Sequence, residues 1–181
     1  CVAAPFGPPR GLYRYPHMSR LRVLYCHGLE SGPMGHKVRE MRRQGLDVTA
    51  PAMDMSIWSL WQKNSVLRSL LSPRALLTRW PTNWLAGAMD DSFGACVDVM
   101  RANIDTDSFD VLVGSSWGAG VGAALLANGA WDGPTVLLCP ALHLKERWAG
   151  RSLHASLSAD AISLALANLP AHRKSACLLV H

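Results

Sequence analysis

The sequence predicts an α/β protein with a mostly parallel sheet and helices on both of its faces. Three short segments, at 111–113, 136–138 and 177–180, are apolar at every position. Such strands are typical of parallel sheets covered on both faces, because a solvated face would carry polar residues at alternate positions. Segments with apolar residues at helical spacing separate these strands, and that alternation is typical of the α/β class.

The N-terminal stretch stands apart from this pattern. Residues 1–17 are rich in Pro and Gly and show no periodicity, which predicts a tail or linker before a domain at 18–181. Met18 directly precedes the first convincing strand, and we expect it to be the natural start.

The remaining elements follow in order along the chain. Met34, Val38 and Met41 recur at the spacing of one helical face, and Gly45 is well placed to end that helix. The predicted strands are 21–25, 46–50, 109–113, 135–139 and 176–180. Beyond that first helix, the predicted helices lie at 93–104, 117–127 and 159–169.

Residues 54–90 interrupt the alternation. They hold four of the seven tryptophans, at positions 58, 61, 80 and 84. This composition predicts a helical, lid-like insertion whose apolar wall would favour apolar acyl groups. A pair of amphipathic helices packed on the sheet accounts for the same pattern, so both interpretations stay open.

Composition excludes several classes of function. A chain of 181 residues, 49% hydrophobic and 17% charged, is expected to fold as one globular domain. No apolar run reaches the ~18 residues that a membrane span needs. The net charge of +5 comes from scattered basic residues without interleaved aromatics, so no nucleic-acid partner is expected.

Cysteine usage predicts a reducing, cytoplasmic location. The five cysteines are odd in number and include no CxxC pair, which argues against a disulfide framework and a structural zinc site. Four of them lie in apolar stretches, where a free Cys packs as a small buried hydrophobe. We expect neither a metal nor a cofactor, and the oligomeric state stays open.

The strongest chemical signal is a G-x-S-x-G match at Gly114-Ser115-Ser116-Trp117-Gly118. An apolar strand enters it and a helix leaves it, as in a nucleophile elbow. Glycines flank the serine where a Cβ would clash, and the turn lifts the Ser116 hydroxyl to the carboxyl edge of the sheet, where ligands bind. A Gly/Ser turn without chemistry is the competing interpretation.

A second motif follows the first strand, in the order Leu24-Tyr25-Cys26-His27-Gly28-Leu29-Glu30-Ser31. With the continuation Gly-Pro-Met-Gly-His-Lys, it resembles the H-G-x-x-S-x-P-x-x-x-K segment of a small esterase-like branch of the α/β-hydrolase superfamily. The two motifs stand in the expected order, and the resemblance covers about 21–181. It implies Ser116 as nucleophile, the backbone N–H groups of Leu29 and Trp117 as the oxyanion hole, and Gly28 as the point of close backbone approach.

The resemblance implies a serine hydrolase that cleaves small-molecule carboxylic esters or thioesters through an acyl-enzyme on Ser116. In this superfamily the acid and the histidine follow the nucleophile in chain order, and both are expected beyond His181. His143 is a weak candidate base because no matched acid follows it, and Asp132 precedes its strand and so lies at the wrong edge.

The last predicted strand supports the expectation of a missing C-terminal part. An entirely apolar strand at the edge of a sheet lacks the charge, Pro or bulge that normally blunts such an edge. We therefore expect the chain to be a fragment that turns over esters weakly or not at all.

Two other functional hypotheses compete with that of a hydrolase. A non-catalytic α/β-hydrolase-like protein would keep the elbow and bind a ligand or partner through residues 54–90, and a downstream Asp and His would argue against it. A nucleotide-binding domain would need G-x-G-x-x-G after the first strand, where the sequence has Gly28-Leu-Glu-Ser-Gly-Pro.

Overall fold

The computed structural model describes residues 20–29, 31–53, 82–143 and 157–180. Within these ranges the strands are β1 (Arg22–Cys26), β2 (Asp47–Thr49), β3 (Val111–Ser115), β4 (Thr135–Leu138) and β5 (Cys177–Val180). The helices are α1 (His36–Arg43), α2 (Thr82–Thr106), α3 (Trp117–Ala127), α4 (Ala159–Ala167) and α5 (Ala171–Ser175).

The five strands form one sheet in which every neighbouring pair is parallel, so the predicted α/β class is confirmed. The strand order is β2-β1-β3-β4-β5. The chain moves outward from β1 to β2 in one direction, and from β3 through β4 to β5 in the other. The direction reverses between β1 and β3, and ligands of open parallel sheets bind at the carboxyl ends of the strands beside such a reversal.

Helices cover both faces of the sheet, as predicted. On one face, Val23 and Tyr25 of β1 pack against the buried Val38 of α1. On the other face, Leu24 of β1 and Leu112 of β3 share a larger core with residues of α2, α3 and α4. The alternate side chains of β1 thus enter two separate cores, which is why its sequence is apolar at nearly every position.

Helix α1 ends as predicted and begins later than predicted. Gly45 has φ +90° and donates its N–H to Arg42 O at 3.0 Å, while Leu46 N–H bonds Met41 O at 3.2 Å. This pair of bonds is the Schellman arrangement that stops a helix at a glycine. Met34 was expected on the buried face, but it precedes the helix and is 66% exposed.

Helix α2 is longer than its apolar stripe predicts, because it begins at Thr82. The last residues of the predicted insertion 54–90 are therefore part of a helix that continues to Thr106. Residues 54–81 lie outside the described part of the chain, so the lid remains a prediction. No described helix combines the length and apolarity needed to cross a membrane.

Strand β5 differs most from its expected environment. Its apolar sequence predicted burial on both faces, yet Leu178, Leu179 and Val180 are 58%, 49% and 40% exposed. The strand pairs with β4 along one side and is the last strand of the described sheet. The short helix α5, which precedes it, was not predicted.

Candidate functional site

The turn between β3 and α3 holds Ser116 in a costly backbone conformation. Its φ of 55° and ψ of −116° lie outside the regions that residues with a Cβ normally occupy. Its side chain is exposed, whereas its neighbours Ser115 and Trp117 are buried. Non-glycine residues in such conformations cost about 1–3 kcal/mol each and cluster at functional sites.

The two glycines of the motif are required by packing. A Cβ on Gly118 would stand 2.1 Å from the carbonyl oxygen of Cys26, and one on Gly114 would stand 2.6 Å from the carbonyl oxygen of Gly118. Real Cβ atoms essentially never approach other atoms this closely. The start of α3 can therefore lie against the end of β1 only because position 118 has no side chain.

Backbone hydrogen bonds hold the turn from both sides. Ser116 N–H donates to Leu138 O at 2.8 Å, and Ser116 O accepts from Ala141 N–H at 3.1 Å. The same oxygen accepts from Ala119 and Gly120 as α3 begins. Since β4 and its following loop contribute two of these bonds, the sheet itself fixes the position of Ser116.

The loop after β1 lies directly beside this turn. A Cβ on Gly28 would stand 3.3 Å from Ser116 Cβ, so the absence of that atom allows the two segments to approach. Ser31 closes the loop by donating to Gly28 O from its N–H at 3.2 Å and from its Oγ at 2.7 Å. The structure thus brings together the two motifs that the sequence placed on separate strands.

His27 has a structural environment. It is 2% exposed, its Nδ1 lies 3.2 Å from Gly28 O, and its Nε2 lies 3.4 Å from the N–H of Met53. Both ring nitrogens therefore face backbone groups, which orients the loop and leaves the ring unsuited to take a proton from Ser116.

The two predicted oxyanion donors flank the turn. Leu29 lies in the loop after β1, and Trp117 is the first residue of α3. Among the described residues, neither backbone N–H has a backbone acceptor. The Trp117 ring is 1% exposed and meets the Phe93 ring edge-to-face at 5.3 Å, so the residue that carries the second donor is anchored in the core.

A cavity of about 280 Å³ opens beside Ser116. Its wall includes Gly28, Ser31, His36, Lys37, Ser115 and Ser116. Lys37 Nζ donates to Ser115 Oγ at 2.6 Å, which holds the ammonium group at the cavity wall. Sequence reasoning missed His36, Lys37 and Ser115 as site residues. Lys37 closes the H-G-x-x-S-x-P-x-x-x-K pattern, but that pattern does not tell which way its side chain points.

Thiols beneath the site are kept in the neutral form. Burial raises the pKa of the Cys26 thiol well above its usual range and that of Cys96 to about 11. Burial also raises the pKa of the Tyr25 hydroxyl, which lines the cavity. At neutral pH none of these groups carries the charge of a thiolate or phenolate nucleophile.

The other residues that the sequence offered as candidates lie in different places. Asp132 is exposed at the amino end of β4, as expected. His143 is exposed at the end of the loop whose Ala141 bonds Ser116 O, and His181 lies outside the described residues. Of the cysteines expected to be buried, Cys26 and Cys96 are buried, whereas Cys139 is exposed and Cys177 is intermediate.

Two further results bear on the kind of protein this is. Among the described residues, no cluster of three or more His, Cys, Asp or Glu side chains is arranged to hold a metal ion. No protein-family model, curated protein or solved structure matches the chain. The fold and site alone therefore define an α/β protein whose exposed serine stands on a strained turn at the carboxyl edge of a parallel sheet.

Proposed function

We propose that the chain is a serine hydrolase that cleaves carboxylic esters or thioesters through an acyl-enzyme on Ser116. One observation carries the proposal: Ser116 is exposed with φ 55° and ψ −116° between glycines that tolerate no Cβ. This is the geometry that a nucleophile elbow requires. A turn without chemistry would have no need of a costly non-glycine conformation at its exposed apex.

The surrounding groups suit acyl transfer. Ser116 Oγ would add to the carbonyl carbon while a base takes its proton, and the N–H groups of Leu29 and Trp117 would stabilise the resulting oxyanion. The alcohol or thiol then leaves with the proton. Water hydrolyses the acyl group from Ser116, releases a carboxylic acid and restores the serine.

The proposal includes a weak turnover by this chain. His27 is occupied by backbone groups, so it does not serve as the base for Ser116. A nucleophile without its base still benefits from binding and the oxyanion hole, by about 10³–10⁴-fold over water in well-studied hydrolases. The non-catalytic alternative shares the fold but has an unreactive Ser116 and binds a ligand or partner through residues 54–90.

The test is covalent labelling of Ser116 with a fluorophosphonate, read by peptide mass spectrometry, alongside hydrolysis of 4-nitrophenyl butyrate. Because His27 does not serve as the base, we expect slow labelling of the wild-type chain on Ser116, and the Ser116→Ala variant should lose both labelling and hydrolysis. Ser175→Ala, the same substitution at an exposed serine next to β5, should leave both unchanged. A folded wild-type chain whose Ser116 is labelled no faster than the exposed Ser175 would refute the nucleophile and favour the binding protein.

A further inference from the structure

The cavity beside Ser116 has a lysine ammonium group in its wall. Lys37 and His36 line it, and the described residues of its lining include no Asp or Glu. Ion pairs among the described residues join Arg22 to Asp107 and Arg43 to Glu40, and neither pair includes Lys37. The Lys37 ammonium instead donates to the hydroxyl of Ser115, which carries no charge of its own.

Helix α1 carries this charge where a helix least favours it. Its first turn holds His36, Lys37 and Arg39 and no acidic residue, and Gly35 before it provides no side-chain cap. Cations at the positive end of a helix are unfavourable, so local stability does not explain this arrangement. Violations of such local rules are expected where function requires them.

We propose that this cavity binds a carboxylate carried by the substrate, with the Lys37 ammonium as the anchoring group. The inference rests on the proposed function, because it makes Ser116 act on esters that have a carboxylate on the acyl or leaving group. A single ammonium matches the single charge of a carboxylate, and the Ser31 and Ser115 hydroxyls line the same cavity. A volume of about 280 Å³ suits a short chain of a few carbon atoms.

The carboxylate would also explain the position of Lys37 relative to Ser116. Lys37 bonds Ser115, the residue next to Ser116, so an anion at the ammonium group lies within one short acyl chain of the Ser116 hydroxyl. Anchoring the far end of a substrate orients its carbonyl at the nucleophile. Lys37 is therefore a residue that determines specificity, and it takes no part in proton transfer.

The test is an NMR titration of the ¹⁵N-labelled chain with glutarate, with glutaramide as the neutral molecule of the same shape. We expect glutarate to bind at least about tenfold more tightly than glutaramide and to shift the amide signals of Gly32, Gly35 and Lys37. Lys37→Gln should lose this tenfold preference, and Lys37→Arg should keep it. Arg39→Gln removes a charge from the same turn outside the cavity lining and should leave the preference intact.

Several outcomes would overturn the inference. Equal affinity for glutarate and glutaramide, or an unchanged preference in Lys37→Gln, would show that Lys37 does not select an anion. Tighter binding of inorganic phosphate than of glutarate would exclude a carboxylate as the natural group. Failure of the proposed function looks different, because glutarate would then bind in a Lys37-dependent way while fluorophosphonate labels Ser116 no faster than Ser175.

Discussion

The two edges of the sheet are built differently, although the same five strands form both. Where the chain turns at the amino edge with positive φ, it uses glycine, as at Gly45 and Gly129. At the carboxyl edge, the positive-φ positions among the described residues are Ser116 after β3 and Cys139 after β4. Glycine adopts this conformation without steric cost, whereas serine and cysteine do not.

The two edges also differ in the hydrogen-bond partners of their polar groups. At the amino edge, Arg22 N–H bonds Asp110 Oδ2 at 2.7 Å, and the Arg22 guanidinium bonds Asp107 and Ser108. At the carboxyl edge, the N–H groups of Leu29 and Trp117 have no backbone acceptor in the described part of the chain. Arg22 thus bonds with groups of its own edge, whereas the Leu29 and Trp117 N–H groups have no such backbone partner among the described residues.

Breaking the contact between β1 and α3 should have the largest effect. Gly118→Ala places a Cβ where the Cys26 carbonyl now lies, and we expect the free energy of unfolding to fall by about 3 kcal/mol or more. Urea denaturation followed by circular dichroism measures this. Gly94→Ala, within α2, meets only Leu157 at 3.8 Å and should leave stability unchanged or raise it by up to about 1 kcal/mol. Equal effects of the two substitutions would contradict the packing argument.

Exchanging serine and glycine at the positive-φ positions of the two edges should have an intermediate effect on the free energy of unfolding. Ser116→Gly relieves the strained conformation and should raise the free energy of unfolding by about 1 kcal/mol, with loss of fluorophosphonate labelling. Gly129→Ser creates the corresponding strain at the amino edge, where φ is +75°. This substitution should lower the free energy of unfolding by a similar amount. If Ser116→Gly is destabilising, the turn stores no strain.

The smallest effect is expected from the ion pair at the amino edge. The hydrogen bond from Arg22 lowers the pKa of Asp107, so the pair stabilises the fold above the unfolded-state pKa of an aspartate and loses this effect as pH falls through the lower, folded-state value. The advantage of the wild type over Asp107→Asn should therefore shrink as the pH falls below about 4. Because both side chains are exposed, the difference should be small and should weaken in 1 M salt. If the free energies of unfolding of the two proteins change in parallel with pH, the ion pair does not contribute to the pH dependence of stability.

Local sequence predicted the bounds of an element correctly where those bounds depend on one short segment alone. The helix at 117–127 was predicted with the bounds that the structure shows, because small residues follow a sharp turn and Gly129 lies beyond its end. The stop at Gly45 was predicted for the same kind of reason. The predicted strand starting at 109 begins two residues later, at Val111, since pairing with β1 sets where a strand begins.

The sequence by itself determined the α/β class, the position of the serine and the glycines that flank it, because apolar periodicity and turn chemistry are properties of short segments. Only the tertiary structure decided that Lys37 of α1 reaches Ser115 of β3, since those residues are far apart in sequence. It also left β5 exposed despite its apolar sequence, because burial depends on what packs against a strand. The type of a residue sets the chemistry of its side chain. The packing of segments that are distant in sequence sets which groups that side chain contacts.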